Sequence, residues 1–271
     1  MDKKLKISEI ARRTNLSTST VSRVLAGKAN TSEKARAAVL ACARELGVME
    51  GIAAGRLLLN NLIVFAPQRA FDERSDIFYY RVIQSINKAL EPHDVRLRYC
   101  ALEELDSDAN EFLARMNAAE TQAAILLGID DTHIHELAAD IGKPCVLINC
   151  RDGRMRLPSI APDHRTIGEF AARYLFDMGH RDVVNVMCLR RYTMDLRLAG
   201  IKAAWQQQNL RFNSKRDLIT VPSFSAKEAA LRVAEWLDDP ANKTPPTAFL
   251  VSGDFMAQGT VQALLQRGLR V

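Results

Sequence analysis

The feature that most constrains the fold of this chain is a regular alternation of short apolar runs with longer amphipathic stretches, which begins at Leu62. Short apolar runs bounded by polar residues are typical of buried strands, and apolar residues three or four apart are typical of helices. Strands that alternate with helices predict βαβ units and a parallel sheet. The predicted strands are Leu62–Ala66, Val95–Ala101, Ala123–Leu127, Cys145–Asn149, Val183–Cys188, Leu218–Val221 and Ala248–Val251, and the predicted helices are 76–91, 107–119, 131–141, 164–178, 194–208, 225–238 and 255–267.

A basic, proline-containing crossover at 150–162 divides this alternation into two halves, about 62–160 and 161–271. Open parallel sheets bind ligands beyond the carboxyl ends of their strands. A fixed set of polar groups there suits a polyhydroxylated ligand, because it rejects analogues that lack the hydroxyls. Any one such residue alone is better explained as loop structure, so the prediction depends on the set. The rule selects Pro67, Gln68, Asn149, Ser252, Gly253 and Asp254.

The N-terminal fifth of the chain differs in charge from the rest. Residues 1–58 hold eleven Lys or Arg and five Asp or Glu, a net charge of +6, whereas the remaining residues sum to −1. The chain as a whole has 271 residues and a net charge of +5, and its length predicts two or three hydrophobic cores. A basic head on a nearly neutral body indicates a polyanion-binding module joined to a second function.

Three short helices are predicted within this head. Ser17 is placed to cap the second helix, Gly27 is placed to end it, and Ser32-Glu33 starts the third. Two short helices joined by a tight turn, with a third behind them, form a helix-turn-helix. The prediction rests on apolar residues at helical spacing in three blocks, which are Ile7, Ile10 and Ala11, then Val21, Val24 and Leu25, then Ala35, Val39, Ala43 and Leu46.

The second of these helices presents a polar face. Its apolar residues face inward, so Thr18, Ser19, Ser22 and Arg23 face outward. A recognition helix presents its N-terminal residues to base edges, and an Arg on that face reads guanine through two hydrogen bonds. An isolated run of Ser and Thr is as readily a solvated helix face. Here the turn, the spacing and the charge of the head together favour a DNA interface.

Three segments of the head carry a family resemblance: Ile7-Ser8-Glu9-Ile10-Ala11, the run from Leu16 to Gly27, and Ser32-Glu33-Lys34-Ala35-Arg36. They resemble the operator-binding head of the lactose/galactose repressor (LacI/GalR) family of bacterial transcriptional regulators. The resemblance implies that Thr18, Ser19 and Arg23 read bases. It also implies that Ser17, Thr20, Ser22 and Asn30 lie close to the DNA backbone or the groove edge.

Residues 49–61 connect the head to the body. The resemblance implies that this segment forms a short hinge helix on DNA and that Leu57 wedges into the minor groove. Gly51 and Gly55 each raise the free energy of forming that helix by about 1 kcal/mol, and Glu50 adds a negative charge near phosphate. We therefore expect a weaker or more conditional hinge, with a flexible linker as the alternative.

The body is similar to the effector domain of the same family, which has the fold of periplasmic binding proteins. The resemblance implies that Arg197 holds the hydroxyls of an effector, that Phe224 stacks on a sugar ring, and that Phe78, Asn149 and Asp254 line the cleft. Gly253 departs from the family, which usually has Asn there. Family members also continue for several dozen residues beyond position 271, so we expect a C-terminally truncated chain with an incomplete second half. The segments that carry the resemblance are Phe78-Tyr79, Asp163-His164-Arg165, 178–181, 197–200 and 253–259.

These features predict an all-α helix-turn-helix head on an α/β body with two parallel-sheet halves. The head is residues 1–48, the hinge 49–61, and the effector-binding and dimerisation domain 62–271. The expected function is sequence-specific regulation of transcription, by a repressor that a small ligand, most simply a sugar, controls. Its partners are double-stranded operator DNA, that ligand and a second copy of the chain. No cofactor, metal or membrane is expected.

Two alternatives remain at this stage. One is a cytoplasmic solute-binding or sugar-modifying protein with an accessory helical extension, and the other is a constitutive DNA binder whose body senses nothing. No nucleotide loop, G-x-S-x-G or H-E-x-x-H motif is present, which argues against an enzyme. His133 and His135 are two apart on a predicted helix and do not share a face, so they are predicted to be surface residues rather than metal ligands.

The cellular compartment is predicted from what surrounds these motifs. The five cysteines contain no C-x-x-C pair, so they are expected to be reduced, buried thiols. No export signal and no apolar span precede or interrupt the body. We therefore expect a bacterial cytoplasmic protein, associated with the nucleoid when bound.

Overall fold

The computed structural model describes residues 3–28, 31–47, 59–93, 95–242 and 244–271. The chain forms two compact units, Met1–Ile160 and Ala161–Val271. The first unit contains the head and the N-terminal half of the body, and the second is the C-terminal half. Each is described in turn below.

The head consists of three helices, α1 (Lys3–Thr14), α2 (Thr18–Leu25) and α3 (Glu33–Glu45). The Ser17 hydroxyl accepts a hydrogen bond from the Thr20 backbone N–H at the start of α2, and Ser32 does the same for Ala35 at the start of α3. Gly27, at φ 70°, ends α2 in the left-handed conformation. The helices enclose a small core in which Ile10, Val21, Val24, Val39 and Ala43 are fully buried. The predicted helix-turn-helix is confirmed.

The N-terminal half is a five-stranded parallel sheet in the order β2-β1-β3-β4-β5. Helices α5 and α6 pack on one face of it, and α4 packs on the other. Two elements were not predicted, β5 and a 3-10 turn at Gln68–Phe71, because both are too short to show a period. The elements are β1 (Asn61–Ala66), α4 (Ile77–Leu90), β2 (Arg96–Ala101), α5 (Ala109–Asn117), β3 (Ala123–Leu127), α6 (Thr132–Ile141), β4 (Cys145–Ile148) and β5 (Ser159–Ile160).

The head contacts the N-terminal half near the amino ends of its strands. The buried Asn60, just before β1, donates a hydrogen bond from Nδ2 to the Gly27 carbonyl oxygen, at 2.9 Å. Gln122, just before β3, accepts from the Asn60 backbone N–H at 2.7 Å and donates from Nε2 to the Glu33 carboxylate at 2.6 Å. The end of α2 and the start of α3 are thus tied to two strands of this sheet.

The C-terminal half is a three-stranded parallel sheet in the order β7-β6-β8, with β8 at one edge. Helices α7 and α8 pack against each other with their backbones in contact. A Cβ on Gly168 would lie 2.1 Å from the Arg197 carbonyl oxygen, and a Cβ on Gly200 would lie 1.9 Å from that of Arg165. The elements are α7 (His164–Asp177), β6 (Val183–Met187), α8 (Tyr192–Gln207), β7 (Leu218–Thr220), α9 (Ala226–Asp238), β8 (Ala248–Val251) and α10 (Asp254–Leu265).

The sequence also predicts the environments of the cysteines and of two histidines, and the two predictions have different outcomes. The five cysteines are free and buried, as predicted. The prediction of two surface histidines was wrong for His135, which is buried and bonds through Nε2 to the Ile129 carbonyl oxygen at 2.8 Å, because its face of α6 packs on the sheet. Within the described residues, the helices are all too short or too polar to cross a bilayer.

Candidate functional site

The outer face of α2 is polar and open to solvent. Thr18, Ser19, Ser22 and Arg23 are exposed, while the opposite face packs into the core of the head. Arg23 forms no ion pair with any residue in the described part of the chain. The Ser17 hydroxyl, besides capping α2, lies 2.9 Å from the Ser19 hydroxyl and 2.8 Å from that of Thr20. These hydroxyls and an unneutralised guanidinium form a surface suited to phosphates and base edges.

The other arginines of the head have different environments. Arg12 and Arg13 both bond the Glu9 carboxylate, and these hydrogen bonds hold the pKa of Glu9 at about 2. Arg36 is buried and donates to the Lys28 carbonyl oxygen at 2.9 Å, so it braces the loop between α2 and α3. A count of charges does not distinguish these three arginines from Arg23. Among the four, Arg23 presents an unpaired charge on the outer face of α2.

Two residues that the resemblance assigns to DNA binding, Asn30 and Leu57, lie outside the described residues. The same is true of positions 49–58 of the predicted hinge.

The carboxyl edge of the N-terminal sheet holds a network of ion pairs around Arg69. Its Nε lies 2.8 Å from an Asp76 oxygen, and its Nη2 lies 2.6 Å from an oxygen of Glu104, which is 5% exposed. Asp130 lies beside this network, where burial and the charge of Glu104 raise its pKa to about 7. The Arg69 guanidinium is therefore matched by two close carboxylates, with a third nearby.

Two effector residues implied by the resemblance lie at this edge. Asn149, at the end of β4, is buried at φ 57°, and its Nδ2 donates to the Tyr79 hydroxyl at 2.8 Å. Tyr79 in turn lies under the Arg69 guanidinium, 5.3 Å from ring centroid to Cζ. Phe78, in the first turn of α4, is 45% exposed. Asn149 and Tyr79 thus form the floor of the edge, and Phe78 is the accessible aromatic ring.

The carboxyl edge of the C-terminal sheet is organised around Arg197, on α8. Its Nε donates to His164 Nδ1 at 3.2 Å, and its Nη1 donates weakly to the Ser252 carbonyl oxygen at 3.4 Å. Burial lowers the pKa of Arg197. Burial and the neighbouring Arg197 charge lower the pKa of His164 to about 4, so this imidazole is neutral at neutral pH. Among the described carboxylates, none forms an ion pair with Arg197.

Two buried hydroxyls belong to the same edge. Thr193, one turn before Arg197 on α8, is 0% exposed, and its Oγ1 has no hydrogen-bond partner among the described residues. The Ser252 hydroxyl, after β8, is likewise buried and unpartnered within the described part of the chain. The N-termini of α8 and α10 lie here, and neither has a side-chain cap. Uncapped N-termini leave backbone N–H groups to be satisfied by water or a ligand.

The remaining implied effector residues follow β7 and β8. Phe224 is partly buried, and Asp254 is exposed in the first turn of α10. A Cβ on Gly253 would lie 3.3 Å from Phe224 Cδ1, which is closer than side chains normally pack. The absence of a side chain at position 253, where the family usually has Asn, therefore lets the Phe224 ring sit against the backbone.

Several residues of these edges were missed by the sequence analysis. Arg69, Glu104 and Asp130 lie three residues beyond the ends of β1, β2 and β3. The carboxyl-edge rule selected residues after β1 but none after β2 or β3. The sequence predicts no role for His164 or for Thr193. Applying the rule to every strand and extending it to three residues would select these side chains, although it would not predict that they pair.

Family models of known proteins match both the head and the body of the chain. The family model described as "Bacterial regulatory proteins, lacI family" matches residues 6–48. The model described as "Periplasmic binding proteins and sugar binding domain of LacI family" matches residues 69–271. The first covers α1 to α3, and the second covers nearly all of the body.

Individual relatives are similar over almost the whole chain. The HTH-type transcriptional repressor PurR of Proteus mirabilis (strain HI4320) is 26% identical over 270 residues, which cover 98% of this chain and 77% of the relative. Catabolite control protein A of Priestia megaterium is 24% identical over 274 residues, which cover 98% of this chain and 79% of that relative.

Solved structures share the fold. A complex of the transcriptional regulator CelR with cellobiose aligns with a TM-score of 0.66 at 18% identity, over 98% of this chain and 79% of that one. The Lac repressor dimer bound to operator and the anti-inducer ONPF aligns with a TM-score of 0.66 at 20% identity, over 97% of this chain and 78% of that one. At such identities the likeness concerns the fold.

Proposed function

The chain belongs to the LacI family of bacterial regulatory proteins, and from this premise we propose that it is a ligand-controlled, sequence-specific repressor of transcription. It works in the bacterial cytoplasm as a homodimer on operator DNA, and a small ligand of the sugar type changes its affinity for that DNA. Regulation of transcription, rather than catalysis, is the activity that the names of its relatives carry.

The observation that carries this proposal is the outer face of α2. It combines exposed hydroxyls with an unpaired Arg23 on a capped helix whose other face is locked into a core. In our proposal Thr18, Ser19 and Arg23 read bases, and Ser17, Thr20, Ser22 and Asn30 contact the backbone or groove edge. Leu57 enters the minor groove. The head is residues 1–48, the linker 49–61 and the sensing body 62–271.

The ligand is assigned to the carboxyl edges of the body. Phe78 and Asn149 serve the N-terminal edge, and Arg197, Phe224 and Asp254 serve the C-terminal edge. Ligands of open parallel sheets bind at this end of the strands, which supports the assignment. A ligand that prefers one conformation of the body shifts the equilibrium toward it and thereby changes operator affinity.

Selection of duplexes from a random pool by the purified chain tests the DNA-binding role. We expect a two-fold related consensus, because a homodimer presents two heads. Arg23→Ala should lower affinity for the consensus by about 10- to 100-fold, the discrimination typical of one bidentate Arg–guanine contact, and change affinity for a shuffled duplex much less. Arg44→Ala removes the same charge from the exposed last turn of α3 and serves as the matched control.

Two outcomes contradict the proposal. The first is a pool that returns no consensus. The second is an Arg23→Ala variant that binds consensus and shuffled duplexes in the same ratio as the unaltered chain.

A further inference from the structure

We propose that the ligand held at the carboxyl edge of the C-terminal half carries an anionic group, a carboxylate or a phosphate ester on a polyhydroxylated skeleton, and that Arg197 is its counter-ion. The inference rests on the proposed function, because it names the chemical class of the ligand that this edge senses. It goes further by making charge, rather than hydroxyl pattern alone, the basis of selection.

The first support is the state of Arg197. Its side chain is half-buried, yet its described hydrogen-bond acceptors are a neutral imidazole and one carbonyl oxygen. Burial alone accounts for the lowered pKa of this group, and no described carboxylate forms an ion pair with it. Withdrawing a charge from water without a partner is costly. An anionic ligand offsets that cost, and a neutral one does so only in part.

The second support is the protonation state of His164. Its Nδ1 accepts the hydrogen bond from Arg197, so the ring proton of the neutral imidazole is on Nε2. The low pKa of about 4 keeps a second cation out of the site at neutral pH. His164 therefore adds no second positive charge beside the Arg197 guanidinium at neutral pH.

The third support comes from the helix ends. Helices α8 and α10 span 16 and 12 residues, and both begin at this edge without a side-chain cap. The N-terminus of a helix carries a partial positive charge and free N–H groups, which favour anions. Thr193 lies in the first turn of α8, and its fully buried hydroxyl has no hydrogen-bond partner among the described residues.

The acidic residues near this edge do not neutralise it. Asp195 and Asp254 lie in the first turns of α8 and α10, where they are exposed to solvent. Asp163 caps α7 and is bonded to Thr166. None of the three forms an ion pair with Arg197, so the centre of the edge stays electropositive and its acids lie at the rim.

Ligand binding to the full chain tests the inference. The probes are three matched series built on glucose, galactose and ribose, each as the neutral sugar, the sugar carboxylate and the sugar phosphate, with inorganic phosphate alone as a further probe. Both tryptophans, Trp205 and Trp236, lie in the C-terminal half, so their fluorescence follows its thermal unfolding, and calorimetry gives each Kd. We expect at least one anion to bind 10-fold or more tightly than its neutral parent.

The variants separate charge from packing. Arg197→Gln should raise the Kd for the anion at least 10-fold and the Kd for the neutral sugar less than threefold. Arg197→Lys keeps the charge and should retain a preference for the anion, which guards against a variant that merely folds poorly. Lys202→Gln removes an exposed cation from the same helix and should change neither Kd.

Four results would overturn the inference: neutral sugars that bind as tightly as their anions, an Arg197→Gln variant with unaltered anion affinity, inorganic phosphate that binds as tightly as any sugar phosphate, or no anion that binds. Carboxylate and phosphate are distinguished by which arm of the series binds. Operator binding without ligand is measured in parallel. Absence of operator binding alone overturns the proposed function. Absence of the preference for the anion alone overturns this inference.

Discussion

The two halves of the body place an arginine at the same end of their strands, but they surround it differently. Arg69, in the N-terminal half, lies between the carboxylates of Asp76 and Glu104, and Asp130 adds a third acid nearby. Arg197, in the C-terminal half, faces a neutral imidazole and a carbonyl oxygen. The charge of Arg69 is matched by carboxylates of the protein, whereas no described carboxylate matches the charge of Arg197.

This difference separates framework from recognition. A cation matched by carboxylates within the protein stabilises the local loops, and removing it leaves buried negative charge. A half-buried cation that no carboxylate matches contributes less to stability until a ligand supplies the anion. We therefore assign Arg69 to the architecture of its edge and Arg197 to ligand binding, and three comparisons of the halves test that division.

The largest difference is expected from the matched substitutions Arg69→Ala and Arg197→Ala. Arg69→Ala removes the ion pair between Arg69 and the buried Glu104 carboxylate and should lower the free energy of unfolding by about 3–5 kcal/mol. Arg197→Ala removes an unmatched charge and should change it by less than about 1 kcal/mol. Urea unfolding followed by circular dichroism and by tryptophan fluorescence measures both.

The exposed Arg81→Ala, on α4, is the control for removal of a cation and should lie within about 0.5 kcal/mol of the unaltered chain. Equal losses from Arg69→Ala and Arg197→Ala would remove the distinction between the two edges.

A smaller effect is expected from Gly168→Ala, which tests how the C-terminal edge is held. The new methyl group would lie 2.1 Å from the Arg197 carbonyl oxygen and force α7 from α8, at a cost of about 2–3 kcal/mol. Because His164 and Arg197 lie on these two helices, ligand binding should weaken as well. Gly153→Ala, in open space in the other half, should be nearly neutral. A Gly168→Ala variant as stable as Gly153→Ala would mean that α7 and α8 are not in backbone contact.

The smallest effect, taken per pH unit, is the pH dependence of stability, which should have opposite signs in the two halves. The pKa of His164 is lowered to about 4, so its contribution is present above about pH 6.5 and is lost as pH falls toward 4. The pKa of Asp130 is raised to about 7, so its contribution is present below about pH 4 and is lost as pH rises toward 7. Each slope is at most about 1.4 kcal/mol per pH unit.

Thermal unfolding between pH 4 and 7 separates these contributions. His164→Asn should flatten the fall of tryptophan-detected stability on the acid side, and Asp130→Asn should flatten the opposite trend detected by circular dichroism. Parallel pH profiles for both variants and the unaltered chain would show that neither group titrates as described.

The fold could be predicted from the sequence because its signals are local. Strand and helix periods in the body, and caps at Ser17 and Ser32 in the head, depend on residues within a few positions of one another. The Arg69 network could not be predicted in this way, since Arg69, Glu104 and Asp130 follow three different strands and meet only because β1 lies between β2 and β3. His135 was misassigned for a related reason, because helical spacing does not say which face of α6 packs on the sheet.

The most direct test of the account is the operator affinity of the full chain with and without the ligand that binds at Arg197. We expect that ligand to change the Kd for the selected duplex by about 5- to 150-fold, the usual range for coupled sites. In Arg197→Gln the same ligand concentration should leave the Kd unchanged. An operator Kd in the unaltered chain that does not respond to a ligand bound at saturation would contradict the account.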